Sequence, residues 1–507
     1  MKRLIPFLIL LLAPLAHAQQ MQIYCNAANQ TPCNTIASPG LSQQGDPAWL
    51  FAGKVNANFD TVMAPYARTA AEIAAGVTPV NYGYPPGDAR RYGAVGNCIA
   101  DDTAALQNDI NASQIANIPV ELAPGACYYT ASGLVFKQGK SATDSQSYAV
   151  YLEGNGATLE PAAGVSAITI TPRCLLSDVG TGRANAPIII DNLIIDGTKA
   201  GSSASQALLI GRAGYRWDSF TWDKFSNITV QNFQNAPSAV MLWEGRHAAF
   251  DRLSLKTGAS LFIQGTTSGS FVGDFVFIAS DFTGSGTQPP ITISANNGAQ
   301  ARGIKFIGDD VYGGGSLLHA TGTGGSQVGD IWFTDVQFDG ASGTDVFLTL
   351  YADTASAQLF DVHINHDYFV NGTQALYIHT ANSPTMKGID IGNNWFNTMN
   401  VASALENSVV LLLNANGVSI HGDTFDAVTG ASGPVGQYVA ADTSTDFSVS
   451  DETATNCTNI AYGVATANAS TRYSILGNMM CATTAAVNNG ATGTPVDQLA
   501  NNLAVTQ

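Results

Sequence analysis

Apolar and polar positions alternate in short bursts along the body of the chain, and the bursts recur. Each reads apolar–x–apolar, then four residues, then an apolar or aromatic residue. Phe275-Val276-Phe277 leads to Phe282, Ile304-Lys305-Phe306 to Val311, Ile331-Trp332-Phe333 to Phe338 and Val362-His363-Ile364 to Phe369. Ile389-Asp390-Ile391 leads to Phe396, Val418-Ser419-Ile420 to Phe425 and Tyr473-Ser474-Ile475 to Met480, while Phe447-Ser448-Val449 keeps only the strand. The second apolar residue steps by 29, 27, 31, 27, 29, 29 and 26 residues. Earlier copies, such as Ile228–Val230 and Leu253–Leu255, are less regular.

Period-two alternation means a strand with one buried face, and a repeat of this length means a solenoid or array. Helical spacing and the Leu/Asn signature of leucine-rich horseshoes are both missing. A β-propeller needs longer, four-stranded repeats. The pattern therefore predicts an all-β fold, a right-handed parallel β-helix over residues 88–482. Phe282, Phe338, Phe369, Phe396 and Phe425 would stack inside it. A helical stretch behind Asp101-Asp102-Thr103, with Ala105, Leu106 and Ile110 as its apolar side, would be N-capped by Asp or Thr and would cover the open end of the solenoid over residues 101–112.

The flanks differ in texture. Lys2-Arg3, the apolar stretch Leu4–Leu15 and Ala16-His17-Ala18 read as an export signal over residues 1–18. Residues 19–87 read as a leader, with an amphipathic helix at 47–65, a further turn of helix at 70–75 and an extended linker from Val77 to Gly87. Residues 483–507 read as a tail. No later segment has the run of about 18 apolar residues that a membrane span needs.

Composition narrows the partner. Only 12% of the 507 residues are charged, 51 are Gly, and the net charge is −17. Nucleic acid binding needs clustered Lys and Arg, which do not occur beyond Lys2-Arg3. An anionic polysaccharide would also be repelled unless a divalent cation such as calcium bridged the charges, and no ligand cluster for one stands out. A neutral glycan meets no such barrier, and no cofactor or metal is called for. All seven cysteines follow the export signal, so disulfides are allowed. Proximity suggests Cys25–Cys33, Cys98–Cys127 and Cys457–Cys481, with Cys174 as a buried thiol. Export implies a periplasmic or extracellular home.

The stretch from Arg90 to Thr130 carries Gly93-Ala94-x-Gly96, Asp101-Asp102-Thr103-x-Ala105-Leu106 and Pro124-Gly125-x-Cys127-Tyr128. It resembles the amino-terminal motif of the pectate lyase-like β-helix superfamily, which includes polygalacturonases, epimerases and phage tailspikes. It departs from the usual Gly-Asp-Gly at Gly96-Asn97-Cys98. The resemblance implies the fold and a polysaccharide partner, but its motif residues are structural. Residues 47–94, notably Gly53–Phe59, also resemble leaders found before tailspike β-helices, which implies a homotrimer. The polygalacturonase catalytic set is not reproduced: Gly308-Asp309-Asp310 matches one element, Ile420-His421-Gly422-Asp423 matches another only faintly, and no Arg-Ile-Lys follows.

The repeat supplies its own candidates. The middle residue of each burst points outward, which aligns Val276, Lys305, Trp332, His363, Asp390 and Ser419. Lys305, Trp332, His363 and Asp390 are thus expected to contact substrate, with Trp332 suited to stacking on a sugar. Three residues after each burst stand Ser280, Asp309, Val336, Asp367, Asn394 and Asp423. Asp309 and Asp367, two coils or about 9.6 Å apart, are the candidate carboxylate pair of a glycosidase. Asp310, Asp335 and His366 border them as further catalytic candidates. Turn-capping by Asp and Asn competes with catalysis at this column. The cluster Trp243-Glu244-Gly245-Arg246-His247 has similar chemistry without repeat register. Two functions follow: a secreted glycoside hydrolase or polysaccharide lyase working in a groove, or a non-catalytic glycan-binding adhesin or tailspike-like protein.

Overall fold

In a computed structural model, residues 24–26, 31–32 and 66–505 are described, apart from 140–145, 179–184, 200–205, 218–221, 234–238, 285–287, 341–345, 382–384, 431–435 and 491–497. The chain divides at Ala67/Arg68. In the first unit Tyr24–Asn26 pairs antiparallel with Thr31–Pro32. The export signal, the 47–65 helix and the Cys25–Cys33 pairing lie outside the described residues.

The second unit is a β-solenoid of about 12 turns, and it is the expected parallel β-helix. A representative coil runs through a long strand (Gln300–Ile307), a tight bend, a short strand (Asp310–Tyr312), a turn and a third strand (Ser316–Ala320). The third strands form a sheet of thirteen. Along the long strands register holds residue for residue, as in Phe277↔Phe306↔Phe333↔Ile364↔Ile391. The expected Phe ladder is interior: its five members are fully buried. Phe338, Phe369, Phe396 and Phe425 stack at centroid steps of 4.6, 5.0 and 4.8 Å. A second stack, Phe225–Phe250–Phe277–Phe306–Phe333, lies under the long strands. The stack of coils continues past Ala482, with Ala485–Asn489 paired on Ile460–Ala467 and Leu503–Val505 on Met479–Cys481.

At the amino-terminal end, helix α1 (Ala70–Ala74) is closed by a capping box between Thr69 and Glu72. Buried Glu72 also binds Arg91 Nε at 2.6 Å and the Tyr92 hydroxyl at 2.9 Å. Helix α2 (Thr103–Ala116) outlasts the expected 101–112 because Ser113–Ala116 remain helical until Asn117 turns left-handed. Its buried face holds Ala105, Leu106 and Ile110. Asp102 does not cap it through its side chain: that carboxylate takes the Val95 and Gly96 amides instead, at 2.6 and 3.0 Å. Disulfides Cys98–Cys127 and Cys457–Cys481 are formed. Cys174 is buried, its sulfur 4.0 Å from Arg173 Nη2. Among the described residues no helix is long and apolar enough to cross a membrane.

The bend between long and short strand is built from two positions. The first is left-handed in every coil, including Gly308, Asp335, His366, Asn393, Gly422 and Asp451. The second is a buried ladder, polar except at Val336, in which the polar side chains accept the backbone N–H of their counterparts one coil earlier. Asp309 takes Ser280 N (2.7 Å), Asn394 takes Asp367 N (2.9 Å), Asp423 takes Asn394 N (2.7 Å), Glu452 takes Asp423 N (3.0 Å) and Asn478 takes Glu452 N (3.0 Å). Asparagines use their second atom too: Asn394 Nδ2 donates to Ile364 O. The matching oxygens of Asp367, Asp423 and Glu452 are buried without a partner.

Burial pushes the Asp423 carboxyl up to about 8 against the lowering pull of Asn394, and it holds Asp367 and Glu452 well above the usual range. The folded chain therefore keeps protons that the unfolded chain, with acids near 4, has released. Stability is fully present below about pH 4 and is lost as pH rises towards 8. Asp423→Asn supplies the missing donor. It should leave stability unchanged near pH 4.5 and raise it by about 1–3 kcal/mol at pH 8, as read from denaturant midpoints across that range.

Candidate functional site

The outward residues of the long strands come together as expected. Lys305 faces Trp332, Trp332 faces His363, His363 faces Asp390 and Asp390 faces Ser419, each pair in direct register. Lys305 Nζ lies 4.9 Å from the Trp332 ring centre. His363 stacks on the opposite neighbour side at 5.5 Å and 7°. Trp332 is thus flanked along the stack by a cation and an imidazole, and it offers a ligand its edge rather than a bare plate.

Asp390 is the hub of the column. Its Oδ1 lies 2.9 Å from His421 Nε2 and its Oδ2 3.4 Å from His363 Nδ1 and 3.3 Å from Asn365 Nδ2. Burial pushes its carboxyl up, but the hydrogen bonds from His421, Asn365 and His363 outweigh this and hold it below the usual range. It stays ionised at neutral pH, between two imidazoles each about one-third exposed.

Beside this hub the surface dips into an open depression of about 400 Å³. Its lining includes Asp361, Asp446, Ser419 and Ser448. The hollow has a local cause. One residue of every long strand is left-handed, and on most coils that position carries a side chain: Asp330, Asp361, Asp446 and Arg472. Between Asp361 and Asp446 it is Gly388 and Gly417. A Cβ at Gly417 would come within 2.7 Å of the Lys387 Cα, and one at Gly388 within 2.5 Å of Asp361 Oδ1. Asp446 is paired with Arg472, while Asp361 is exposed.

The other candidates land elsewhere. Asp309 and Asp367 are rungs of the buried bend ladder, 0% and 2% exposed, so they do not open onto the groove, and turn-capping describes both. Burial raises Asp309 to about 7 against the Ser280 and Ile307 amides. Asp335 and His366 occupy the exposed left-handed bend position on neighbouring coils. Asp310 begins a short strand, in register with Asp281. Partial burial, followed by the carboxylates of Asp281 and Asp339, raises it.

The Trp243–His247 cluster is dispersed. Glu244 is buried on the amides of Gly214, Thr266 and Thr267, and Arg246 lies over Phe271. His421, Asp361 and Asp446 were not among the expected site residues. The sequence does carry a signal for the last two: Asp274, Asp330, Asp361 and Asp446 all stand one residue before the burst. Among the described residues, the single set of metal-ligand atoms in mutual reach is Cys98, Cys127 and Glu160, two of which form a disulfide.

No family model and no curated protein matches the sequence. Solved structures do. The chain is similar to PfbA, a surface adhesin of Streptococcus pneumoniae, at 14% identity over 82% of this chain and 91% of that one, TM-score 0.42. It is also similar to the bacteriophage Phi29 gene product 12 N-terminal fragment, at 14% identity over 87% and 69%, TM-score 0.46. A third is the Yersinia enterocolitica family 28 exopolygalacturonase, at 13% identity over 73% and 75%, TM-score 0.38. The chain shares the right-handed parallel β-helix fold. At these identities the likeness concerns the fold alone, so the chemistry rests on the residues above.

Gly417→Ala combines left-handed strain with a backbone clash. Gly308→Ala, also left-handed but with nothing within 4 Å of its Cβ, carries strain alone. Gly308→Ala should cost about 1–2 kcal/mol and Gly417→Ala clearly more, compared by denaturant midpoint.

Proposed function

We propose that the protein is an exported polysaccharide-active protein that holds a neutral glycan along the Lys305–Ser448 face and hydrolyses it over the Gly388–Gly417 depression. The observation that carries this reading is the ionised Asp390 held between His363 and His421 at the edge of that hollow. A fixed, charged carboxylate beside an open depression is suited to take a proton from water. Asp361 stands one coil back and two residues along, about 8 Å away by strand spacing and rise. That falls in the range of about 6.5–9.5 Å used by inverting glycosidases.

In this scheme water attacks the anomeric carbon and passes its proton to Asp390. The glycosidic C–O bond breaks, and Asp361, entering the step in its protonated form, gives its proton to the leaving oxygen; exchange with solvent then takes the proton from Asp390 and returns one to the exposed Asp361. Lys305, the edge of Trp332 and Ser419 supply hydrogen bonds and apolar contact along the chain of sugars. The acidic lining of Asp361 and Asp446 favours neutral over uronate polymers. Two disulfides suit an oxidising compartment, periplasmic or extracellular. A homotrimer belongs to the same reading, through the leader's resemblance.

A second reading, glycan binding without cleavage, draws on the burial of Asp309 and Asp367, which removes the carboxylate pair first expected from the sequence. One experiment separates the two. Purified protein and Asp390→Asn are assayed for reducing-end release and for retention on a panel of neutral polysaccharides. Hydrolysis predicts release that drops by about 10²-fold or more in Asp390→Asn with retention kept. Retention without release in the native protein selects the binder. Neither retention nor release overturns both.

A further inference from the structure

The short strands present an outer face of their own, around the bend from the groove. Its leading column is Asp281, Asp310, Gln337, Tyr368, Trp395 and Thr424, in direct register. Trp395 is 48% exposed. Its indole meets Tyr368 edge-on, at 5.4 Å and 69°, and the phenol is held in place by Asn397 Nδ2 at 2.9 Å. On the next coil the register partner is Thr424, which has no ring.

This is the reverse of Trp332, whose neighbours along the stack both carry groups over its ring. Trp395 keeps a ring face uncovered. Among the described residues, no hydrogen bond engages its indole N–H. Leaving so large an apolar surface in water is unfavourable by roughly 25 cal/mol per Å², and core packing gains nothing from it, since the interior beneath is already filled by Phe396.

A tryptophan face with an adjacent donor and flanking amide and hydroxyl side chains fits the C–H face and hydroxyls of a sugar. Coil spacing adds to this. Successive coils are about 4.8 Å apart, close to the length of one hexose unit, so a glycan laid along the solenoid axis meets one coil per sugar. Gln337 then stands two coils before Trp395 and Thr424 one coil after it, at hydrogen-bonding positions along the same line. The upstream end carries Asp281, Asp310 and Asp339, and crowding by the other two raises Asp310 beyond the effect of its partial burial. That end repels a polyanion.

We propose that this face, from Asp310 to Thr424, is a second carbohydrate track that holds one neutral hexose chain along the solenoid axis, anchored by stacking on Trp395. It is separate from the groove at Asp390 and does not depend on cleavage there.

The test is affinity electrophoresis of the full chain through native gels containing neutral glucans, mannans or galactans, with a polyuronate gel alongside. Trp395→Ala should weaken retention about tenfold on the glycan that retards the native protein. Trp395→Phe should restore most of it. Because Trp395 is on the surface, melting temperature should not change. Undiminished retention in Trp395→Ala overturns the track. So does retardation by the polyuronate alone, or by no neutral glycan at all. Loss of retention in Trp332→Ala but not in Trp395→Ala would assign binding to the groove and equally overturn it.

Discussion

The groove, the ring stacks and the bend ladder depend on one constraint: the backbone of each coil hydrogen-bonds to the next in parallel register. Once Phe277 is opposite Phe306 and Phe306 opposite Phe333, neighbours in space are residues 26 to 31 positions apart in sequence. Rings then meet rings inside. Outside, a lysine, a tryptophan, two histidines and a carboxylate that are far apart in the chain become one surface. The site is a by-product of stacking, and so is the ladder that seals the bend.

The same constraint explains what could be read beforehand. Alternation and period are properties of the strands themselves, so the β-helix, the Phe ladder and the Lys305–Trp332–His363–Asp390 column were all legible from spacing. What spacing does not convey is curvature. Asp309 and Asp390 are both polar residues at fixed offsets, yet one lies just past a left-handed residue that turns its side chain inward. The sign of φ at Gly308 decides that Asp309 is architecture. A left-handed turn is signalled by Gly or Asn, but at Asp335, His366 and Asp451 residues without that signature adopt it.

The hollow was hidden for a related reason. Gly388 and Gly417 look unremarkable in the sequence, since a glycine in a strand is read as weakness. They matter because they stand on adjacent coils between two counterparts, Asp361 and Asp446, that carry side chains. A cavity made by what is missing from a column becomes visible only after the columns are aligned. His421 likewise reaches Asp390 from the next coil and a neighbouring column, a diagonal contact that no single-column reading contains.

The bend ladder has one further consequence, because it points one way. From Asp367 to Glu452 each rung's backbone N–H is satisfied by a side chain that arrives with the following coil. Over that run a solenoid cut between coils ends in a dangling donor, and adding the next coil quenches that donor while exposing a new one. The two ends of such a run are therefore chemically unlike: the carboxyl-terminal end presents unmet N–H donors and the amino-terminal end unmet side-chain acceptors.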